Sequence, residues 1–368
     1  MTHSFIKKLD FSILFVTVML VGMGIVNLYS ATRMEPASVL PVYLKQVYWL
    51  GIGIISMVGL ALIDYHFFER WGYWIYGASI LLLVGLFFLG DRSSGTVRWY
   101  TVGPVSFQPS EFMKLSLIFA LSKYFSRAMT EDGLRLTDLI IPVCMIAVPA
   151  VLVLKEPDLG SAGLLVLLFV TMIFAIKMRP GTLVTLILVG AASATPIAYF
   201  GWKFLKPYQR QRILTFLDPN LDPLGSGYHI IQSKIAVGSG GFFGKGFMNG
   251  TQGLLKFLPE QHTDFIFSVL AEEWGFIGAV IVVVLFFVLI LRGLAVAREA
   301  KDFFGGAVAL GIATLFLWQF FINIGMATGI FPVVGIPLPF LSYGGSSLVA
   351  SLCSVGLLLN IYMKRKIF

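Results

Sequence analysis

"FLPEQHTDFIFSVLAEEWG", residues 257–275, sets Glu260, His262 and Asp264 directly before a long apolar run that holds Glu272 and Glu273. Carboxylates are costly to place among apolar neighbours, and partial loss of water raises their proton affinity. A carboxylate at such a boundary titrates nearer neutral pH, which suits a general base. Asp264, where the polar stretch enters the apolar run, fits that role, and His262 and Glu260 are alternative bases. A plain helix N-cap made by Thr263 or Asp264 is the competing structural reading. Glu272 and Glu273, about two turns deeper, read as polar contacts inside a helix bundle.

Three further stretches carry candidate chemistry. In "FQPSEFMKLSLIFALSKYF", Glu111 and Lys114 stand at i and i+3 and share one helix face. They read either as a self-satisfied ion pair or as the wall of a polar cavity, with Lys114 available to an anionic ligand. In "LKEPDLGSAG", Pro157 and Gly160 interrupt the helices on either side of Asp158, which is either a cavity carboxylate or an N-cap. "GSGGFFGKG" invites a phosphate-loop reading and fails it. That motif needs Gly five residues before its Gly-Lys pair and Ser or Thr after it, where this chain has Ser239 and Gly246.

The elements that position these groups are membrane helices. Of 368 residues 57% are hydrophobic and 12% charged, with mean hydropathy +0.87, whereas soluble domains carry about 25% charge. The net charge of +8 is therefore read through its distribution over loops, and no nucleic-acid partner is expected. Cys144 and Cys353 lie in separate apolar stretches and read as unpaired thiols. About 20 apolar residues cross a ~30 Å hydrocarbon layer. Ten segments qualify: 11–31, 44–64, 71–90, 108–125, 138–155, 159–177, 181–201, 264–292, 304–328 and 343–363. The first follows a basic N-terminus but is too long for a signal-peptide core, so it reads as a membrane helix.

Lys and Arg accumulate in cytoplasmic loops. With the N-terminus inside, the inner segments hold Lys7, Lys8, Arg70, Lys123, Arg127, Arg135, Lys177, Arg179, Arg292, Arg298, Lys301 and the tail Lys364 to Lys366. The short outer loops hold only Arg33, Arg92, Arg98 and Lys155. The expectation is an all-α polytopic membrane protein, a single domain over 1–368, with both termini cytoplasmic. A large extracytoplasmic loop, about 202–263, joins helices 7 and 8 and carries short amphipathic helices. The outer face also gathers Lys203, Lys206, Arg210, Arg212, Lys234, Lys245 and Lys256. Positive charge there, beside candidate bases at a membrane boundary, points to transfer chemistry on a lipid-linked phosphate.

"FQPSEFMKLS", "EPDLGSA", the run from "YQRQRILTFLDP" to "HTDFIFSVLAEEWG", and "NIGMATGIFPVVGIPLPFLSYGGSS" together resemble the SEDS family (shape, elongation, division, sporulation), most closely its elongation-linked branch. The resemblance covers nearly the whole chain. It implies a ten-span glycosyltransferase of the bacterial inner membrane that polymerises lipid II on the outer face, releasing undecaprenyl pyrophosphate. It also implies that Asp264 is the catalytic acid of the "HTDF" motif, that Glu111, Lys114 and Asp158 line a central cavity, and that Ser342 lies near it. Arg98, Lys114, Arg210 and Lys234 are the cations expected to steady the pyrophosphate, together with a divalent cation, Mg or Mn, whose ligands the sequence does not identify. The implied partners are a class B penicillin-binding protein, a transpeptidase, and other membrane proteins of the elongation complex. A lipid II flippase is the alternative, because intramembrane ions and broken helices also mark transport paths.

Overall fold

The computed structural model describes residues 9–33, 41–91, 97–102, 105–222, 225–254, 258 and 260–365. Lys7, Lys8, Arg92, Lys256 and Lys366 lie outside the described residues. The described chain is helical apart from one small hairpin. Its helices are α1 (Phe11–Thr32), α2 (Val42–Leu62), α3 (His66–Leu89), α4 (Pro109–Ala128), α5 (Ile140–Lys155), α6 (Leu159–Ala175), α7 (Pro180–Phe204), α8 (Pro207–Leu217), α9 (Ser226–Ser239), the single turn α10 (Thr251–Leu254), α11 (Ile266–Glu299), α12 (Phe303–Thr328) and α13 (Gly345–Met363). Strands β1 (Tyr100–Val102) and β2 (Val105–Phe107) pair antiparallel, Tyr100 opposite Phe107.

A helix therefore underlies each of the ten apolar segments. Among the described residues seven of these are long and apolar enough to cross a membrane: α1, α2, α3, α5 with the short 3-10 turn before it, α11, α12 and α13. α6 and the first part of α7 are apolar but shorter, and α4 carries Glu111, Lys114, Lys123 and Arg127 on 20 residues. The helix starts follow local chemistry. The Asp10 side chain caps α1 by accepting from Ser12 N at 2.9 Å, Asp302 caps α12 through Gly305 N at 2.8 Å, and proline opens α4 and α7, where its missing N–H costs nothing.

Packing sorts the helices by burial. In α13, 89% of the apolar window is inside the protein, against 17% in α2, so α13 is central and α2 peripheral. α2 and α13, α11 and α12, α3 and α4, and α1 and α11 form the main helix pairs. The outer faces present Ile55, Leu81 and Phe88, a surface matched to lipid rather than water. Between α7 and α11 the stretch read as a large loop holds the short helices α8, α9 and α10, and α7 itself continues to Phe204.

That inter-helix segment is pinned to α11 from below. Glu272 is fully buried and its Oε1 accepts from Lys245 Nζ at 2.7 Å, Thr251 N at 2.8 Å and Thr251 Oγ1 at 2.9 Å. Gly275 breaks α11 with φ 66° and ψ −162°, and the backbone of Gly244 passes so close that a Cβ at 275 would sit 2.2 Å from its nitrogen. Only glycine meets both demands. Glu273 instead accepts from Ser30 Oγ of α1. Replacing Glu272 by Gln is predicted to cost about 1–3 kcal/mol, because Lys245 loses its charged acceptor while the backbone donors keep an oxygen. Thermal unfolding in detergent checks it, and an unchanged midpoint would count against the anchoring role.

Candidate active site

At the N-terminal ends of α4 and α6 the helices enclose a cavity of about 740 Å³. Arg98, Glu111, Asp158, Lys206, Arg212, Glu260 and Asp264 all face it, together with Trp99, Ser161 and Tyr343. A second hollow of about 330 Å³ adjoins it, sharing Trp99, Thr263, Tyr343 and Gly344 and adding Trp49, Asp91 and His262. The charged groups that the sequence scattered between residues 98 and 264 thus meet in one place.

Asp264 sits just before α11 and is partly exposed to the cavity. It does not cap the helix, since Phe265 occupies the N-cap without a side-chain bond. Its backbone is strapped from three directions. Asn323 of α12 donates to the Asp264 carbonyl at 3.0 Å and to the Ile336 carbonyl at 2.8 Å. Asn27 of α1 donates to the Ile266 carbonyl at 3.0 Å. Ser342 Oγ donates to the Thr263 carbonyl at 2.6 Å and accepts from Leu338 N at 2.8 Å. Gly335, at φ +74°, borders the carboxylate, and a Cβ there would stand in ordinary contact, 3.4 Å from Asp264 Oδ2. Burial first, then the nearby Glu260 charge, push the Asp264 carboxyl up to about 6, against the opposing pull of Arg212.

Asp158 takes both of its expected roles. It caps α6 by accepting from Ser161 N at 3.1 Å and Ser161 Oγ at 2.8 Å, and it lines the cavity. Its neighbour Glu156 is buried with Oε1 unpartnered, and burial together with the Asp158 charge lifts it to about 8. Glu111 and Lys114 form a buried ion pair at 2.7 Å, with Glu111 on the cavity wall and Lys114 behind it. Arg98 lines the cavity and donates Nε to the Glu156 carbonyl at 3.2 Å, fixing the link between α5 and α6.

Other expected residues lie elsewhere. Arg210 points away, donating to the Lys203 carbonyl at 2.8 Å and resting over Trp202. Lys234 is exposed beside Gly329. Ser342 is buried behind the site as a bracket for the Thr263 backbone. Conversely, Arg212 and Lys206 are cavity cations that the sequence reading placed in the outer basic group without singling them out, and Arg212 is steadied by a 3.1 Å bond to the Val333 carbonyl. The straps Asn27 and Asn323 were also missed; amides in the middle of apolar helices were the available signal.

The arrangement offers a carboxylate base at the edge of a cationic cavity, which suits removal of a proton beside an anionic leaving group. Among the described residues no three His, Cys, Asp or Glu side chains group as a metal site.

The FtsW/RodA/SpoVE profile, described as a cell cycle protein, matches residues 11–367. Among curated proteins, the peptidoglycan glycosyltransferase MrdB of Escherichia coli K12 is 42% identical over 324 residues, covering 88% of this chain and 86% of its own. The peptidoglycan glycosyltransferase RodA of Treponema pallidum is 32% identical over 425 residues, covering 97% and 98%. Among solved structures, a chain from work on how a peptidoglycan synthase complex coordinates polymerization and crosslinking superposes with TM-score 0.81 at 34% identity, covering 97% of this chain and 98% of that one. The rod shape determining protein RodA of Thermus thermophilus superposes with TM-score 0.70 at 29% identity, covering 98% of each chain.

Proposed function

Since the chain belongs to the FtsW/RodA/SpoVE family, we propose that its cavity polymerises lipid II into glycan strands. The protein is a peptidoglycan glycosyltransferase of the elongation type, in line with its likeness to MrdB and RodA. The observation that carries the site reading is Asp264, a carboxylate raised to about 6 on the wall of a cavity that also presents Arg98, Lys206 and Arg212. Asp264 takes the proton from the 4-hydroxyl of the acceptor N-acetylglucosamine. The freed oxygen attacks the anomeric carbon of the donor N-acetylmuramic acid, and undecaprenyl pyrophosphate leaves with inversion. The leaving group is already an anion, so cations replace the general acid that ordinary inverting glycosidases use.

Ten helices cross the bilayer in this reading, both termini are cytoplasmic, and the cavity opens to the outer face of the bacterial inner membrane. A class B penicillin-binding protein is the partner, supported by the likeness to a chain of a peptidoglycan synthase complex; further membrane proteins of the elongation complex are expected beside it. A Mg or Mn ion fits the donor set only in part. Glu260 would hold it together with pyrophosphate oxygens, since Mg sites commonly use one or two carboxylates plus phosphates. Such an ion would neutralise the departing pyrophosphate.

The test is polymerisation of purified lipid II in liposomes by the chain with its partner, the partner's transpeptidase serine removed. Long glycan strands are expected. No strands, with lipid II crossing the bilayer, would replace this reading with the flippase. Within the same assay Arg212→Ala is predicted to slow polymerisation about 10- to 100-fold, the worth of a charge-assisted contact. Arg210→Ala, away from the cavity, is predicted to stay within about twofold. The reverse order would reassign the cation that meets the pyrophosphate.

A further inference from the structure

The half of the bundle away from the cavity holds a separate cleft. Helix α6 begins at the cavity with Asp158 and Ser161 and ends at Ala175 beside this cleft. Its 17 residues rise about 25 Å, nearly the hydrocarbon thickness of a bilayer. The cleft measures about 430 Å³ and lies between the end of α6, the end of α11 and the start of α12. Leu294, Ala297, Phe303 and Leu310 give it apolar walls, and Lys177 and Arg298 stand on it as exposed cations.

The charges there are not balanced. Among the described residues neither Lys177 nor Arg298 has an ion-pair partner; Lys177 donates only to the Glu131 carbonyl. The one acid on the cleft, Asp302, is already engaged: its Oδ1 accepts from Gly305 N at 2.8 Å, and its Oδ2 accepts from Tyr65 OH and lies 3.3 Å from His66 Nε2. Two uncompensated cations above an apolar floor, one bilayer thickness from the outer cavity, match an anionic headgroup with its chains beneath it.

We propose that this cleft binds an anionic phospholipid, with the phosphate between Lys177 and Arg298 and an acyl chain along Leu294 and Leu310. Charge complementarity selects the anionic headgroup over a zwitterionic one, and the apolar walls select a lipid over a soluble anion. The site is independent of the polymerisation chemistry, because none of its residues faces the Asp264 cavity.

The experiment is native mass spectrometry of the full chain released from neutral detergent, with phosphatidylglycerol, phosphatidylcholine or inorganic phosphate added at equal concentration. The native chain is expected to retain phosphatidylglycerol in preference to phosphatidylcholine. Lys177→Ala with Arg298→Ala should weaken that retention about 30-fold, the sum of two membrane-surface cations. Leu310→Trp, which keeps both charges and fills the floor, should weaken it as well. Thermal unfolding without lipid checks that each variant is folded, and either one suffices for the test. Equal retention of the two lipids, or phosphatidylglycerol retention unchanged in the folded variants, would overturn the site. Displacement of phosphatidylglycerol by inorganic phosphate would reassign the cleft to a soluble anion.

Discussion

Asp264→Asn is expected to abolish lipid II polymerisation and, at the same time, to make the protein more stable. The amide keeps the shape of the carboxylate but cannot accept a proton, so the attacking hydroxyl loses its base. The stability gain follows from the direction of the shift. Burial and Glu260 raise the folded-state carboxyl to about 6, whereas an unfolded aspartate titrates near ~3.9. Between those values the folded state holds a proton that the unfolded state has released, so stability falls as pH rises through this window. At neutral pH the native chain therefore bears the cost of a charge in a poor environment, and removing it should return about 1–3 kcal/mol. For the native enzyme the same shift predicts a rate that climbs about tenfold per pH unit below ~6 and levels above it. Strand synthesis across pH 5 to 8 and thermal unfolding of the inactive variant read the two effects separately. A variant that still polymerises, or a flat pH profile, would remove Asp264 from the base role.

Much of this arrangement was legible before any coordinates, and the parts that were not have physical reasons. Apolar runs and helix-breaking residues announced the helices, because a bilayer admits few other ways to satisfy a backbone. The pair Glu111 and Lys114 could be read from spacing alone, since i and i+3 share a face on any helix. Asp158 proved to be both cap and cavity wall, so the two readings offered by its position were not exclusive. Arg210 and Arg212 were harder. They sit two residues apart on α8, about 200° around the helix, and only packing against the 329–344 segment decides which one faces inward. The amides Asn27 and Asn323 bind carbonyls 239 and 59 residues away, contacts that no local pattern encodes. The Lys245 and Glu272 contact is of the same kind, a loop cation meeting an acid inside a membrane-type helix.

The second large effect lies in that legible pair. Glu111 and Lys114 are both buried, with Nζ and Oε1 at 2.7 Å. Lys114→Met strands the Glu111 charge in the protein interior, and breaking a buried pair in this way costs about 3–5 kcal/mol. The double replacement Glu111→Gln with Lys114→Met leaves no stranded charge and should recover most of that loss, as buried pairs replaced whole often prove nearly neutral. The cycle also separates the two roles that spacing alone left open. If the pair only satisfies itself, the double variant regains lipid II polymerisation along with its thermal midpoint. If the Lys114 charge acts through the cavity wall on the anionic substrate, the double variant regains stability while polymerisation stays low, and the deficit appears in KM more than in kcat. A double variant that remains as unstable as Lys114→Met would show that the pair is not energetically coupled despite its short separation.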